Sequence, residues 1–329
     1  MAPDATSARD WLRHQVGRLR PRPAAVAPQE AARPRIAVVT DSAAALPPEW
    51  VAGHNSGGGL SIVAMPVIIG ENVFSDDDAE LETHISLALA AGTAVRTSRP
   101  SPGQFEKAYR AAADAGFDAV VSIHISSKLS GTLDAAQLAA GRAGIPVLVL
   151  DSGTVGMAQG AAVQAAIEAA KRGNNAEGVL DAARAAAATT TVFFYVPSLE
   201  QLRRGGRISL ASSWVGTVLD IKPLLGIRDG AVVPLEKVRT AVKAVARLET
   251  LAAAEIARRE PGRAHVSLHH FGNEHQARSL QDSLQAQYPG LAAADLTRLP
   301  AVLAAHAGLG VLVVVISDTF VPPQDGQEP

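Results

Sequence analysis

Three segments place hydroxyls and glycines where a β-branched run gives way to a helix-forming one: Thr40–Asp41–Ser42, Ser126–Thr132 and Asp151–Ser152–Gly153–Thr154. A fourth polar segment, Arg96–Ser101, precedes Pro102. In an open parallel sheet, strand-to-helix loops gather outside the carboxyl ends of the strands, and ligands bind there. Each helix start offers free N–H groups and the positive end of a dipole, which favour an anion. Thr97, Ser98, Ser130 and Thr132 add hydroxyl donors without formal charge. That set suits a carboxylate or phosphate that is held rather than attacked. The plainer reading of the same hydroxyls is that they cap helices and form turns.

The histidines divide by context. His306 precedes Gly308 and Gly310 just before an apolar run. A neutral imidazole there either hydrogen-bonds a ligand carboxyl or finishes a turn. His269 and His270 are adjacent in a strand, so they point to opposite faces, and with His275 they do not complete a metal site. His124 lies inside a strand and reads as a core histidine with its hydrogen bonds satisfied. The segment LRRGGRIS at 202–209 sets three arginines around a glycine pair whose tight turn projects Arg207 outward. A guanidinium fork binds two oxygens of a phosphate or carboxylate at once, although a solvated basic loop has the same composition. Lys237 and Arg239 follow a hairpin and extend the same positive surface. There is no G-x-S-x-G elbow, P-loop, G-x-G-x-x-G or H-E-x-x-H motif, so no catalytic residues are assigned.

The elements that must position these groups are legible as an α/β alternation. Short β-branched runs at 36–40, 62–69, 118–125 and 147–150 predict strands, and helices are expected over 81–91, 133–142 and 155–171. Ser101, Pro102 and Gln104 form a capping box that starts a further helix. Near residue 189 the rhythm changes. Strands at about 219–227 and 231–238 flank the turn signal Asp229–Gly230. Helix 240–259, strand 264–270, helix 274–287 and strands near 293–298 and 310–316 follow. Two domains are expected: a parallel three-layer α/β/α unit over 35–188 and a mixed-sheet two-layer α/β unit over 189–318. Residues 1–34, rich in Arg, Ala and Pro, read as a solvated extension or a short basic amphipathic helix, and 319–329 as a loose tail.

Composition narrows the function classes. The 329 residues are 47% hydrophobic, ample for a sizeable core. The 30 Lys+Arg against 32 Asp+Glu give a net charge of −2, which argues against a broadly basic nucleic-acid binder. The absence of cysteine removes disulfides, thiolate zinc sites and thiol catalysis. No apolar run approaches the roughly 18–20 residues of a membrane span, and no secretory signal is visible, so a cytoplasmic location with at most transient membrane contact is expected.

Taken in order, several strings resemble the DegV family, bacterial fatty-acid-binding proteins that act as the binding subunit of a fatty acid kinase. These are VVTDSAAALP at 38–47, TSRPSPGQF at 97–105, SIHISSKLSGTLDAA at 122–136, LDSGTVGMAQG at 150–160, SLEQLRRGGRIS at 198–209 and IKPLLGIRDG at 221–230. With the His306–Gly310 segment they span about residues 35–318. The resemblance implies a bound long-chain fatty acid. Thr97 or Ser98, with Ser130, Gly131 and Thr132, would hold its carboxylate, and His306 or His270 would stand nearby. Arg207 and Arg239 would match family arginines that face the kinase catalytic subunit and the acyl-phosphate end. It implies no cofactor and no metal. Leu309 stands where the family usually has proline, and the N-terminal extension has no family counterpart.

Two function classes are therefore carried forward. One is a non-catalytic carrier whose ligand occupies a long apolar tunnel. The other is a small-carbonyl-substrate enzyme on a dihydroxyacetone kinase-like fold, which would have a short polar cavity with a histidine at its centre. The carrier reading has a physical basis: about 15 methylenes at ~0.8 kcal/mol each give on the order of 12 kcal/mol before ordering costs.

Overall fold

The computed structural model describes residues 33–55, 58–75, 80–208 and 221–319. The expected N-terminal extension and C-terminal tail, except their inner ends, and Ser209 lie outside the described residues.

In chain order, β1 (Ile36–Asp41) leads through a 3-10 turn to α1 (Pro48–His54), β2 (Leu60–Val63), β3 (Val67–Ile69) and β4 (Asn72–Phe74). Then come α2 (Leu81–Ala90), β5 (Val95–Thr97), α3 (Pro102–Asp114), β6 (Ala119–His124), α4 (Thr132–Ala140) and β7 (Val147–Asp151). Helices α5 (Met157–Lys171) and α6 (Ala176–Ala188) precede β8 (Thr191–Tyr195), α7 (Glu200–Arg204), β9 (Lys222–Arg228) and β10 (Ala231–Val238). The described chain continues with α8 (Ala241–Ile256), β11 (Ala264–His270), α9 (Glu274–Gln287), β12 (Asp295–Arg298), α10 (Ala301–Ala307) and β13 (Leu312–Asp318).

The first sheet is parallel, in the order β2-β1-β6-β7. Its apolar runs are continuous because both faces are covered. Val38, Val121 and Ile123 pack with Val163 of α5 and Val179 of α6. Val39 and Val120, one residue out of phase, pack on the other face with Phe105 and Tyr109 of α3 and Ala135 of α4. This is the expected three-layer arrangement. Alanine and glycine on α5 permit a close approach: a Cβ at Gly160 would lie 2.7 Å from the Ala44 carbonyl oxygen. The capping box forms, with the Ser101 amide donating to Gln104 Oε1 at 2.8 Å.

The run 62–69, expected as one strand, is split into β2 and β3. Pro66 lies between them, and its missing N–H and fixed φ suit a break better than a continuous ladder. The chain turns there, and β3 joins β4 and β5 in a small antiparallel sheet ordered β4-β3-β5. That sheet sets Thr97 opposite Val67 at the end of β5.

The second sheet runs β10-β9-β8-β13-β11-β12 and is mixed: β11 and β12 are parallel and the other pairs antiparallel. Asp229 and Gly230 both have positive φ, at 49° and 77°, as the two-residue hairpin between β9 and β10 requires. One face, with Leu224, Leu268 and Val314, is covered by Leu248 of α8 and Leu280 of α9. The opposite face carries Val192, Phe194 and Val313, which pack with Val302 of α10.

Candidate functional site

A cavity lies on that second face, between the mixed sheet and the loops of the parallel sheet. It holds about 760 Å³ of empty space, including its opening to solvent. Its walls are mostly apolar: Met65, Ile125, Leu129, Phe194, Val302 and Leu303 are typical. Thr97, Ser130, Arg207, His269 and His306 are its polar and charged side chains.

Four of these five polar groups gather together in one part of the lining. Thr97 Oγ1 and His306 Nε2 share a hydrogen bond of 2.7 Å. Ser130 ends the turn after β6, where its amide donates to the Ser126 carbonyl at 3.1 Å. Its hydroxyl lies 2.8 Å from Thr132 Oγ1. Arg207 donates from Nε to the Leu129 carbonyl at 3.1 Å and from Nη1 to the Gly205 carbonyl at 2.6 Å. Burial, and secondarily the Arg207 charge, pushes the His306 pKa down from 6.5 to about 4, so the imidazole is neutral at pH 7. The glycine pair has two separate tasks. Gly206 takes φ +70°, whereas a Cβ on Gly205 would overlap the His306 ring.

The fifth polar group, His269, is fully buried. Its Nε2 accepts from the Met157 amide at the start of α5 (3.1 Å), and its Nδ1 lies 2.7 Å from Thr297 Oγ1. An Nε2 that accepts carries no proton, so Nδ1–H donates to the threonine. Burial is the main cause that holds the His269 pKa down at about 4. A hydrogen bond joins the two halves at the cavity wall: Ser126 Oγ donates to the Gly230 carbonyl at 2.7 Å. This ties the hairpin carrying the lining residues Ile227 and Val232 to the Ser126–Ser130 turn.

Several expected site residues fall elsewhere. Ser98 is exposed, and its hydroxyl donates to the Arg99 carbonyl at 3.3 Å. Gly131 and Thr132 adjoin Ser130 but do not line the cavity; the Thr132 hydroxyl is buried against Ser130, and the Gly131 carbonyl faces Arg99 Nη1 at 3.4 Å. His270 does not line it either. It shares the pleat parity of Leu268, on the helix-covered face, and His269 instead faces inward beside Val313. The His270 Nδ1 is buried without a hydrogen-bond partner. Arg207, read from the sequence as projecting outward and as facing both the kinase subunit and the acyl-phosphate end, lines the cavity, where its fork is drawn onto the Leu129 and Gly205 carbonyls. Arg239 is exposed after β10 and outside the lining. His306 lies in the last turn of α10, a helix that the sequence reading did not anticipate.

A second polar constellation lies in the core. His124 Nδ1 lies 3.0 Å from Asp41 Oδ2, His124 Nε2 is 2.7 Å from Ser122 Oγ, and Ser122 Oγ is 2.8 Å from the Tyr109 hydroxyl. Burial pushes the Tyr109 phenol up to about 12, partly offset by the Ser122 hydrogen bond. The residue types match a nucleophile, a base and an orienting acid, yet all are completely buried and none lines the cavity. The chain Asp41–His124–Ser122–Tyr109 is therefore a structural tie within the parallel sheet.

The two low imidazole pKa values give a pH expectation. Unfolded histidines take up protons below about 6.5, whereas His269 and His306 in the fold do so only near 4. The unfolded state thus binds more protons in that window, and stability falls as pH drops from about 6.5 toward 4. Urea midpoints at pH 7.5 and 4.5 should converge in His306→Gln and His269→Gln relative to the parent. An unchanged difference in both variants would show that the decline comes from other groups.

Among the described residues, no group of three or more His, Asp or Glu is placed to hold a metal, and no helix is long and apolar enough to cross a membrane. The family model described as "Uncharacterised protein, DegV family" matches residues 35–319. The DegV domain-containing protein SCO2569 of Streptomyces coelicolor is 41% identical over 283 residues, covering 86% of this chain and 98% of that protein. Among solved structures, a DegV family protein from Thermus thermophilus, described by its fatty acid binding, superposes with a TM-score of 0.79 at 31% identity. The match covers 87% of this chain and 100% of the other. DegV from Bacillus subtilis, described as a fatty acid binding protein, gives a TM-score of 0.76 at 28% identity, covering 87% and 99%. The chain belongs to the DegV family.

Proposed function

We propose that the protein binds a long-chain fatty acid and presents it, in the cytoplasm, to the catalytic subunit of a fatty acid kinase for acyl-phosphate formation. The observation that carries the binding reading is the cavity itself, mostly apolar, with Thr97, Ser130, Arg207 and His306 clustered in its lining. An acyl chain gains from burial along its whole length, and a few donors suffice for its head. The solved relatives described as fatty acid binding proteins support the same reading. The neutral His306 imidazole and the Ser130 and Thr97 hydroxyls hydrogen-bond the carboxylate, and the Arg207 guanidinium supplies the countercharge. The protein acts as a carrier, and the ATP chemistry belongs to the partner. The alternative enzyme reading calls for a short polar cavity with a histidine at its centre, whereas the lining of this cavity is mostly apolar.

Mass spectrometry of an organic extract of the purified, unsupplemented protein tests the proposal. A stoichiometric C14–C18 fatty acid is expected. An empty extract, followed by failure to take up added fatty acid, would overturn it.

A further inference from the structure

Backbone hydrogen bonds hold the Ser126–Ser130 turn on both sides of the Ser130 side chain. The Leu129 and Ser130 amides donate to the Ser126 carbonyl at 2.9 and 3.1 Å, and Ser126 Oγ donates in turn to the Gly230 carbonyl. After the turn, the Ala135 amide donates to the Gly131 carbonyl at 3.3 Å and opens α4. Gly131 also leaves room for Arg99, since a Cβ there would lie 3.1 Å from Arg99 Nη1. With the backbone fixed in this way, the direction of the Ser130 proton decides what the turn presents to the cavity. The Ser130 oxygen lies 2.8 Å from Thr132 Oγ1, and by distance alone either hydroxyl can be the donor.

We propose that Thr132 is a positioning residue: its hydroxyl donates to Ser130 Oγ and so leaves the Ser130 proton for the cavity, which suits the site to a head group that only accepts, an ionised carboxylate. The inference rests on the fatty-acid reading. A hydroxyl has one proton to give and two lone pairs to receive with. Thr132 is fully buried, whereas Ser130 is half-buried and lines the cavity. Among the described residues, Ser130 Oγ is the only hydrogen-bond partner of Thr132 Oγ1. If Ser130 donated, the Thr132 proton would be buried without an acceptor, which is the costlier arrangement. If Thr132 donates, its proton is paired, and the proton left over is the one that a ligand oxygen can reach. Thr132 is the first residue of α4, and its β-branched side chain has few rotamers in which to place the hydroxyl. The serine proton is therefore directed before the ligand arrives, and little ordering remains to be done on binding. A primary alcohol can accept the same proton, but a hydrogen bond to a charged acceptor is about twice as strong.

A double-mutant cycle on the full chain tests the assignment, with palmitate and 1-hexadecanol affinities read by displacement of a fluorescent fatty acid. Thr132→Val keeps the shape of the side chain and removes the hydroxyl. Its palmitate affinity should fall about fivefold, the effect of one neutral hydrogen bond, while its hexadecanol affinity changes less than about twofold. Ser130→Ala should weaken palmitate binding at least as much. The double variant should be no weaker than Ser130→Ala alone, because Thr132 acts through that hydroxyl. Thr132→Ser restores the donor and should bind palmitate within about twofold of the parent. Where the valine variant does not fold, Thr132→Ala completes the same cycle. A folded valine or alanine variant with the parent's palmitate affinity would overturn the proposal. So would single effects that multiply in the double variant, which would make Thr132 independent of Ser130. If the parent takes up no fatty acid, the functional reading itself fails, and that result is distinct from a Thr132 variant that binds as the parent does.

Discussion

Arg207→Ala is expected to weaken fatty-acid binding by about 10- to 100-fold, the range for losing a hydrogen bond of about 1.5–3 kcal/mol to a charged group. The guanidinium lines the cavity and is anchored by the Leu129 and Gly205 carbonyls. Its charge lies near enough to His306 to help keep that imidazole neutral. Among the described polar residues of the lining it is the only cation at pH 7, because Thr97 and Ser130 are uncharged and burial keeps both histidines neutral. A bound carboxylate without it would be a buried charge compensated by neutral donors only. The loss should be similar for acids of different length, because the head and not the chain is affected. Arg207→Lys should recover only part of it, since an ammonium cannot reproduce the fixed fork that meets both backbone carbonyls. Isothermal titration with a C16 acid measures the effect. Unchanged affinity combined with lost phosphorylation by a partner kinase would instead give Arg207 the outward, partner-facing task that the sequence reading assigned to it.

Asp41→Ala is expected to destabilise the fold by about 3–5 kcal/mol, the range for removing one member of a buried polar pair. Asp41 Oδ2 accepts from the Ile125 amide at 3.1 Å and pairs with His124 Nδ1 at 3.0 Å, while Oδ1 accepts from the Ala43 amide at 3.1 Å. These groups are buried at the carboxyl ends of β1 and β6. The Ala43 amide belongs to the turn after β1 and the Ile125 amide to the exit of β6, so one carboxylate holds two loop starts in register. Ile125 lines the cavity, and fatty-acid affinity should fall along with stability. Asp41→Asn keeps an acceptor oxygen and should cost less. Tyr109→Phe, at the far end of the chain of hydrogen bonds, should cost about 1 kcal/mol. Urea denaturation of the three variants gives the ranking; an alanine variant as stable as the parent would remove the tie from the account of the fold.

The parallel sheet was legible because its strands are buried on both faces, which demands the unbroken apolar runs seen at 36–40 and 118–125. The capping box at Ser101 and the hairpin at Asp229–Gly230 were equally legible, since each is a local preference satisfied within a few residues. Pro66 was a local signal too, and it marks the break between β2 and β3 that the apolar run 62–69 concealed. Helix α10 was harder to see: it is one seven-residue segment between Pro300 and Gly308, too short for a periodic pattern to stand out.

The site divides along the same line. Residue types alone indicated hydroxyls and a neutral histidine for an anion, and Thr97, Ser130 and His306 do meet at one cavity although 209 positions separate the first from the last. Strand alternation established that His269 and His270 face opposite ways. Which of those faces is the cavity was decided only when α8 and α9 covered one side of the mixed sheet. Likewise, the glycines before Arg207 permit a turn, but the direction of the guanidinium depends on the Leu129 carbonyl, 78 positions away. Short-range preferences act between neighbours in the chain and can be read from it. The assignment of a side chain to cavity, core or solvent depends on what packs against it from elsewhere, and that is a property of the assembled fold.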